Sequence, residues 1–273
     1  MPLTFSHPAA VLPIAARPSR WIHFPALVIG SMVPDLALYS MSFSTQSSHS
    51  AASLVVDVPL NGLCLLVLLY GTRSFVADLL PSPHREALLP LAKPLCCVLP
   101  AYVRNWQSGM MGLFVVVLSL VLGAATHIFW DGFTHSDGWA VSMLPALNQP
   151  VLSGLPWPGN LPWCEVLQHV STVVGAAVLV WAYLRWLRRA PTADDNGVPF
   201  SSRTRTGIFI VVVAFSTIAV LPHALRAAGA YEGFFVLRVL CVCLVIKTVQ
   251  LFFAGFLAMA LTIGAWKALI RHR

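Results

Sequence analysis

Charge is what this chain has least of. Only 10% of its 273 residues are Asp, Glu, Lys or Arg, against about a quarter in an ordinary soluble domain. Hydrophobic residues make up 58%, and mean hydropathy is +0.77. That balance excludes a soluble globular protein and predicts an all-α, polytopic helical membrane protein. Acidic residues are scarcer still, 10 against 17 Lys and Arg, a formal net charge of +7. In a membrane chain such an excess reports topology, so no nucleic-acid partner is expected. Six cysteines (Cys64, Cys96, Cys97, Cys164, Cys241 and Cys243) form no CxxC pair, which argues against a zinc ribbon or a disulfide framework. The opening Met-Pro-Leu-Thr-Phe-Ser-His7 has no basic n-region, so insertion through an uncleaved first helix is expected. Internal repeats are absent too.

What is present is a series of apolar runs. Six are expected to span: residues 21–41, 51–70, 110–133, 166–186, 207–221 and 234–268. The first is interrupted by Pro34-Asp35 and is expected to kink or re-enter there. The last carries Arg238 and Lys247, so one of its faces should line protein or a polar cavity. Residues 1–190 read as a membrane-embedded metal-hydrolase core, 191–205 as a cytoplasmic linker and 206–273 as C-terminal transmembrane helices. Lys and Arg crowd the connections after the second and fourth runs and both ends of the chain. Residues 42–50 and 134–165 contain neither. Positive-inside then puts both termini in the cytoplasm and those two connections outside.

The most informative stretch is His127-Ile-Phe-Trp-Asp131-Gly-Phe-Thr-His135. On a helix each four-residue step turns only ~40° and rises ~6 Å, so neighbours fall within reach of one cation. The outer histidines would stand ~12 Å apart, which makes Asp131 the natural bridge between two metals. The plainer reading is a helix end meeting water at the headgroups. The expected topology gathers His49, His127, His135, His169 and His223 on the outer side with Asp35, Asp131, Asp137, Glu165 and Glu232. His23, His84 and His272 scatter inside. Neutral imidazoles and carboxylates free of nearby cations are what a divalent metal requires. Glu165 and His169, one turn apart, form another pair able to grip one ion. The Pro-, Gly- and Trp-rich segment 144–162 reads as an interfacial lid, or as an ordinary aromatic belt through Trp157 and Trp163.

Ser6-His7-Pro8-Ala9-Ala10-Val11-Leu12-Pro13, then Gly30-Ser31-Met32-Val33-Pro34-Asp35, then the His127–His135 stretch and Leu167-Gln168-His169 resemble the DUF4184 family of bacterial membrane proteins. More distantly the pattern is similar to YdjM-type inner-membrane metal-dependent hydrolases and to the zinc-dependent phospholipase C order of ligands. That resemblance implies a divalent metal, zinc first, with Asp35, His49, His127 and Asp131 at one site. It implies a second metal shared by Asp131 and His7, and a third position at His135 and His169. Two departures make one or two metals fit better than three. His169 is followed four residues later by Val173 where the phospholipase pattern has Glu, and the chain begins Met1-Pro2 instead of with a ligating Trp. His7 also conflicts with the expected topology unless residues 1–20 re-enter.

The function expected is a metal-dependent hydrolase of the bacterial inner membrane, acting at the outer face on a phosphoester or lipid-linked substrate. Asp137 or Glu165 would be its general base. A metal transporter would want ionisable groups continuing inward, and the candidates there, Asp57, Arg238 and Lys247, are mostly cationic. A non-catalytic metal- or lipid-binding membrane protein is the remaining alternative.

Overall fold

Residues 4–15, 19–36, 51–91, 106–152, 161–190 and 200–233 are described by a computed structural model, together with individual residues between 236 and 262. Helices dominate. A 3₁₀ turn at Thr4–Ser6 leads into α1 (Pro8–Ala15), followed by α2 (Phe24–Gly30), α3 (Val33–Leu36), α4 (Asp57–Leu79) and α5 (His84–Leu88). Then come α6 (Trp106–Thr134), α7 (Trp139–Met143), α8 (Trp163–Leu187) and α9 (Ser202–Ala228). A small antiparallel pair, β1 (Pro150–Leu152) and β2 (Leu161–Pro162), stands before α8.

Among the described residues, three helices are long and apolar enough to cross a membrane: Gly109–Thr134, Trp163–Leu187 and Ser202–Ala228. They correspond to the third, fourth and fifth expected runs, and the fifth is longer than its apolar core suggested. The second run becomes α4, 23 residues carrying Asp57, Arg73 and Asp78. The first run is not one helix. It breaks at Ser31-Met32, ahead of the expected Pro34-Asp35, into the seven residues of α2 and the four of α3. Pro34 accounts for the position. Its ring would clash with the carbonyl four residues back, that of Gly30, so α2 must end there, whereas Pro in the first turn of α3 is tolerated. The described residues between 236 and 262 are helical, while most of the sixth run, with Arg238, lies outside the described residues.

The chain divides into two compact units, residues 1–67 with 99–189, and residues 68–98 with 190–273. Helix α4 runs through the division. In the first unit α2 lies directly on α6. A Cβ on Gly30 would stand 2.1 Å from the Leu120 carbonyl oxygen, and one on Gly123 would stand 2.2 Å from that of Leu27. Glycine on both helices therefore lets the backbones touch, as small residues do between membrane helices. His23 caps α2 by accepting from the Ala26 amide at 3.2 Å, and its own amide donates to Ser119 Oγ of α6 at 2.9 Å. Gly175 of α8 meets the Thr4–Ser6 turn in the same way, its Cβ position 2.9 Å from the Ser6 carbonyl oxygen. The N-terminal turn is thereby pinned to α8.

The second unit has its own core. Phe75 and Leu79 of α4 pack with Phe200, Ile208, Phe209 and Met259. Arg205 donates to the Leu80 carbonyl at 2.7 Å, and Ser201 caps α9 through the Thr204 amide at 3.1 Å.

Candidate metal centre

The close α2–α6 contact has a chemical consequence one turn further on. It brings the carbonyl of Ser31, at the break after α2, to 2.8 Å from Nδ1 of His127. A carbonyl can only accept, so Nδ1 carries the proton and donates it. Fixing one ring nitrogen through a backbone carbonyl orients the other, as outer partners do for metal-ligating histidines. His127 Nε2 accordingly points at two carboxylates, Asp131 Oδ2 at 3.0 Å and Asp35 Oδ1 at 3.4 Å.

His7 completes the group. Its ring stacks on that of His127 with centroids 3.6 Å apart and planes 18° from parallel. Its Nε2 faces the remaining oxygens, Asp131 Oδ1 at 3.7 Å and Asp35 Oδ2 at 3.8 Å. All four residues are nearly inaccessible: His7 and His127 are 1% exposed, Asp131 6% and Asp35 7%. Ligand atoms of His7, His127 and Asp131 lie within 4.8 Å of one another. His7 Nε2 is buried and has no hydrogen-bond partner among the described residues. Burial, and then the neighbouring His127, push the His7 imidazole down to about 3 from its usual 6.5, which keeps it neutral at physiological pH.

The donor set suits a divalent cation. Two donors at ~2.0–2.2 Å from one metal stand roughly 3–3.4 Å apart, and His127 already meets that spacing with both carboxylates. Neutral imidazole with carboxylate is a set that accepts zinc, manganese or iron. A buried imidazole nitrogen without a hydrogen bond costs free energy that a cation would recover.

The other expected ligands fall differently. His135 follows the last turn of α6, with Nδ1 3.8 Å from Asp131 Oδ1 and a side chain 41% exposed. Its Nε2 lies 3.2 Å from the amide nitrogen of Gln168 on α8. His169 and Glu165 are exposed. The buried face of α8 runs through Cys164, Thr172 and Gly175, and Gln168 continues it at helical spacing. His169 is one residue out of phase, a rotation of ~100°. Asp137 is exposed in the turn after α6, and His223 is exposed on α9 in the second unit. His49 and Trp157 lie outside the described residues, and Trp163 is exposed.

Three contributors escape a search for metal-ligand residue types. The Ser31 carbonyl is backbone. Thr134 Oγ1, buried 3.5 Å from Asp131 Oδ1, belongs to a residue type without ligand signature. Gln168 could have been found from the α8 phase alone. His7 was expected on the cytoplasmic side, in conflict with a shared site. The turn and short helix at residues 4–15, held by α8, carry it to the cluster instead.

Fold and cluster together define a class: a helical protein with membrane-length helices and a buried centre of two histidines and two aspartates. A family model, the domain of unknown function DUF4184, matches residues 1–261, and the chain belongs to that family. No curated protein and no solved structure matches it.

Proposed function

We propose that this protein is a polytopic inner-membrane hydrolase that uses divalent metal at His7, Asp35, His127 and Asp131 to cleave a phosphoester, with a lipid headgroup or lipid-linked phosphate as substrate. The observation that carries the reading is the convergence of four buried ligand-type side chains from three separate parts of the chain. Buried polar groups of this kind are retained for function more often than for stability, because removing them from water is costly. A divalent metal held by these residues would supply Lewis-acid polarisation of a phosphoryl oxygen and an activated water. The protein's own part would be this: the Ser31 carbonyl orients His127, the four-residue helical step sets Asp131 beside it, α3 brings Asp35 to the same nitrogen, and α8 packs on the turn and helix that carry His7.

Position supports a lipid-linked substrate. The cluster occupies the last two turns of α6, at one end of a span of membrane length. Large apolar side chains of α8 and α9, among them Val173, Trp181, Phe215 and Ile218, are exposed, as side chains facing acyl chains would be. Spans additional to the three membrane-length helices, and a cytoplasmic location of the C-terminus, are part of this proposal. They rest on the Lys and Arg distribution.

The test is hydrolysis by the detergent-purified protein of a chromogenic phosphodiester, a phosphomonoester and phospholipid micelles, with zinc or manganese added after chelation. Metal-dependent turnover is expected on one of these, reduced by on the order of 10²-fold or more in Asp131→Asn, since even outer-shell partners are worth ~10–100-fold. Metal bound stoichiometrically without turnover on any of them would replace the hydrolase by a metal-binding protein.

A further inference from the structure

The end of α8 away from the metal cluster carries a face shaped to take a lipid. Val170, Val174, Ala177, Trp181 and Leu184 follow one another at steps of three and four residues, so they share one side of the helix. All five are exposed, Val174 by 54%, Trp181 by 61% and Leu184 by 43%. In the same phase the stripe then turns basic. Arg188 stands four residues beyond Leu184, flanked by Arg185 and Arg189, and all three arginines are exposed. The stretch from Val174 to Leu184 rises ~15 Å, half of a hydrocarbon core of ~30 Å. An acyl chain of one leaflet laid along it brings its headgroup to the arginines. We propose that this face is a binding site for an anionic phospholipid, separate from the metal centre. Gln168, which meets His135, lies ~25 Å from Arg185 along the helix.

The arginines are set for a phosphate. The Arg185 guanidinium lies 5.4 Å from the centroid of the Trp181 ring, folded back toward the apolar stripe. Stacking holds it at the edge of the stripe, and a guanidinium is the cation whose planar fork grips phosphate oxygens in pairs. Carboxylates offer little competition. Glu165 is the one acid on α8, ~30 Å from Arg185, well beyond the ~8–10 Å over which exposed charges act at ordinary salt. Asp194 and Asp195 follow in the sequence and cancel at most two of the three positive charges. The partial negative charge of the helix C-terminus, about half a unit, is smaller than what then remains. Net positive charge at the end of a membrane-length helix is the setting in which basic clusters hold anionic headgroups.

The chelated full-length protein in a maltoside detergent is offered phosphatidylglycerol and phosphatidylcholine of identical acyl chains in equal amounts. Chelation keeps a lipid held through metal out of the count, and bound lipid is read by native mass spectrometry. Phosphatidylglycerol should be retained several-fold over phosphatidylcholine, with the preference shrinking as salt is raised. R185Q/R188Q/R189Q should bring the two lipids to parity, and Trp181→Ala should weaken retention of both, each variant eluting as the folded protein does. Equal retention of the two lipids by the wild type would overturn the site, and so would a preference that survives the triple variant. A dimeric mass free of lipid would give the stripe to a second copy and overturn it as well. None of these results touches the metal reading, which is measured separately by metal content.

Discussion

At the scale of single residues, chemistry concentrates on Asp131, because it contacts three histidines from one carboxylate. The exposed carboxylates are a different matter. Asp137 and Glu165 are exposed outside the cluster, so Asp137→Asn and Glu165→Gln should retain full metal content. If either is the general base, its replacement lowers turnover at saturating metal without changing that content. Metal analysis beside single-substrate kinetics checks both statements, and loss of metal in either variant would place that carboxylate among the ligands. His223→Ala, exposed on α9, should leave metal content and turnover unchanged.

Among the elements, the decisive one is the α2–α6 contact. Gly123→Leu would push a side chain into the Leu27 carbonyl oxygen of α2 and the amide nitrogen of Ser31 just after it, which stand 2.2 and 2.7 Å from the Cβ position. No rotamer relieves a clash with main chain, so α2 must move. The Ser31 carbonyl would leave His127, and Asp35 would be displaced with it. Overpacking of this kind costs ~1–3 kcal/mol or more, and a thermal-shift measurement should show the variant destabilised with metal content reduced. Gly132→Ala is a local counterpart. Trp139 Nε1 lies 2.0 Å from the Cβ position, so α7 should be dislodged from α6. An unaltered melting temperature in Gly123→Leu would mean the helices are not in backbone contact.

What could be read from the sequence follows element length. The long runs declare themselves by composition, and the four-residue step from His127 to Asp131 places their side chains together, at 3.0 Å, without further information. Asp35 was legible from Gly30 and Pro34 as a carboxylate released from a regular helix. His7 in contact with His127 was not, because a separation of 120 positions is settled by tertiary packing, here Gly175 against Ser6. Exposure of His169 beside an inward Gln168 shows the limit of motif reading. Residue type marked the histidine, whereas helix phase selected its neighbour.

For the whole molecule, two claims meet: that the cluster end of α6 is outside, and that it holds metal. A topology reporter fused after Asn148 should report the periplasm and one after Asn196 the cytoplasm, since basic residues flank only the second. A cytoplasmic signal at Asn148 would move the site, and its substrates, to the other face. The metal claim is the central one, and its most direct measurement is elemental analysis of the protein purified in detergent without chelator, beside Asp131→Asn. Asparagine keeps the shape of the side chain and removes the charge that offsets a cation. Wild type is predicted to carry at least stoichiometric zinc, manganese or iron, and Asp131→Asn to lose it while still inserting and eluting as the folded protein does. Equal metal content in the two proteins would contradict the account.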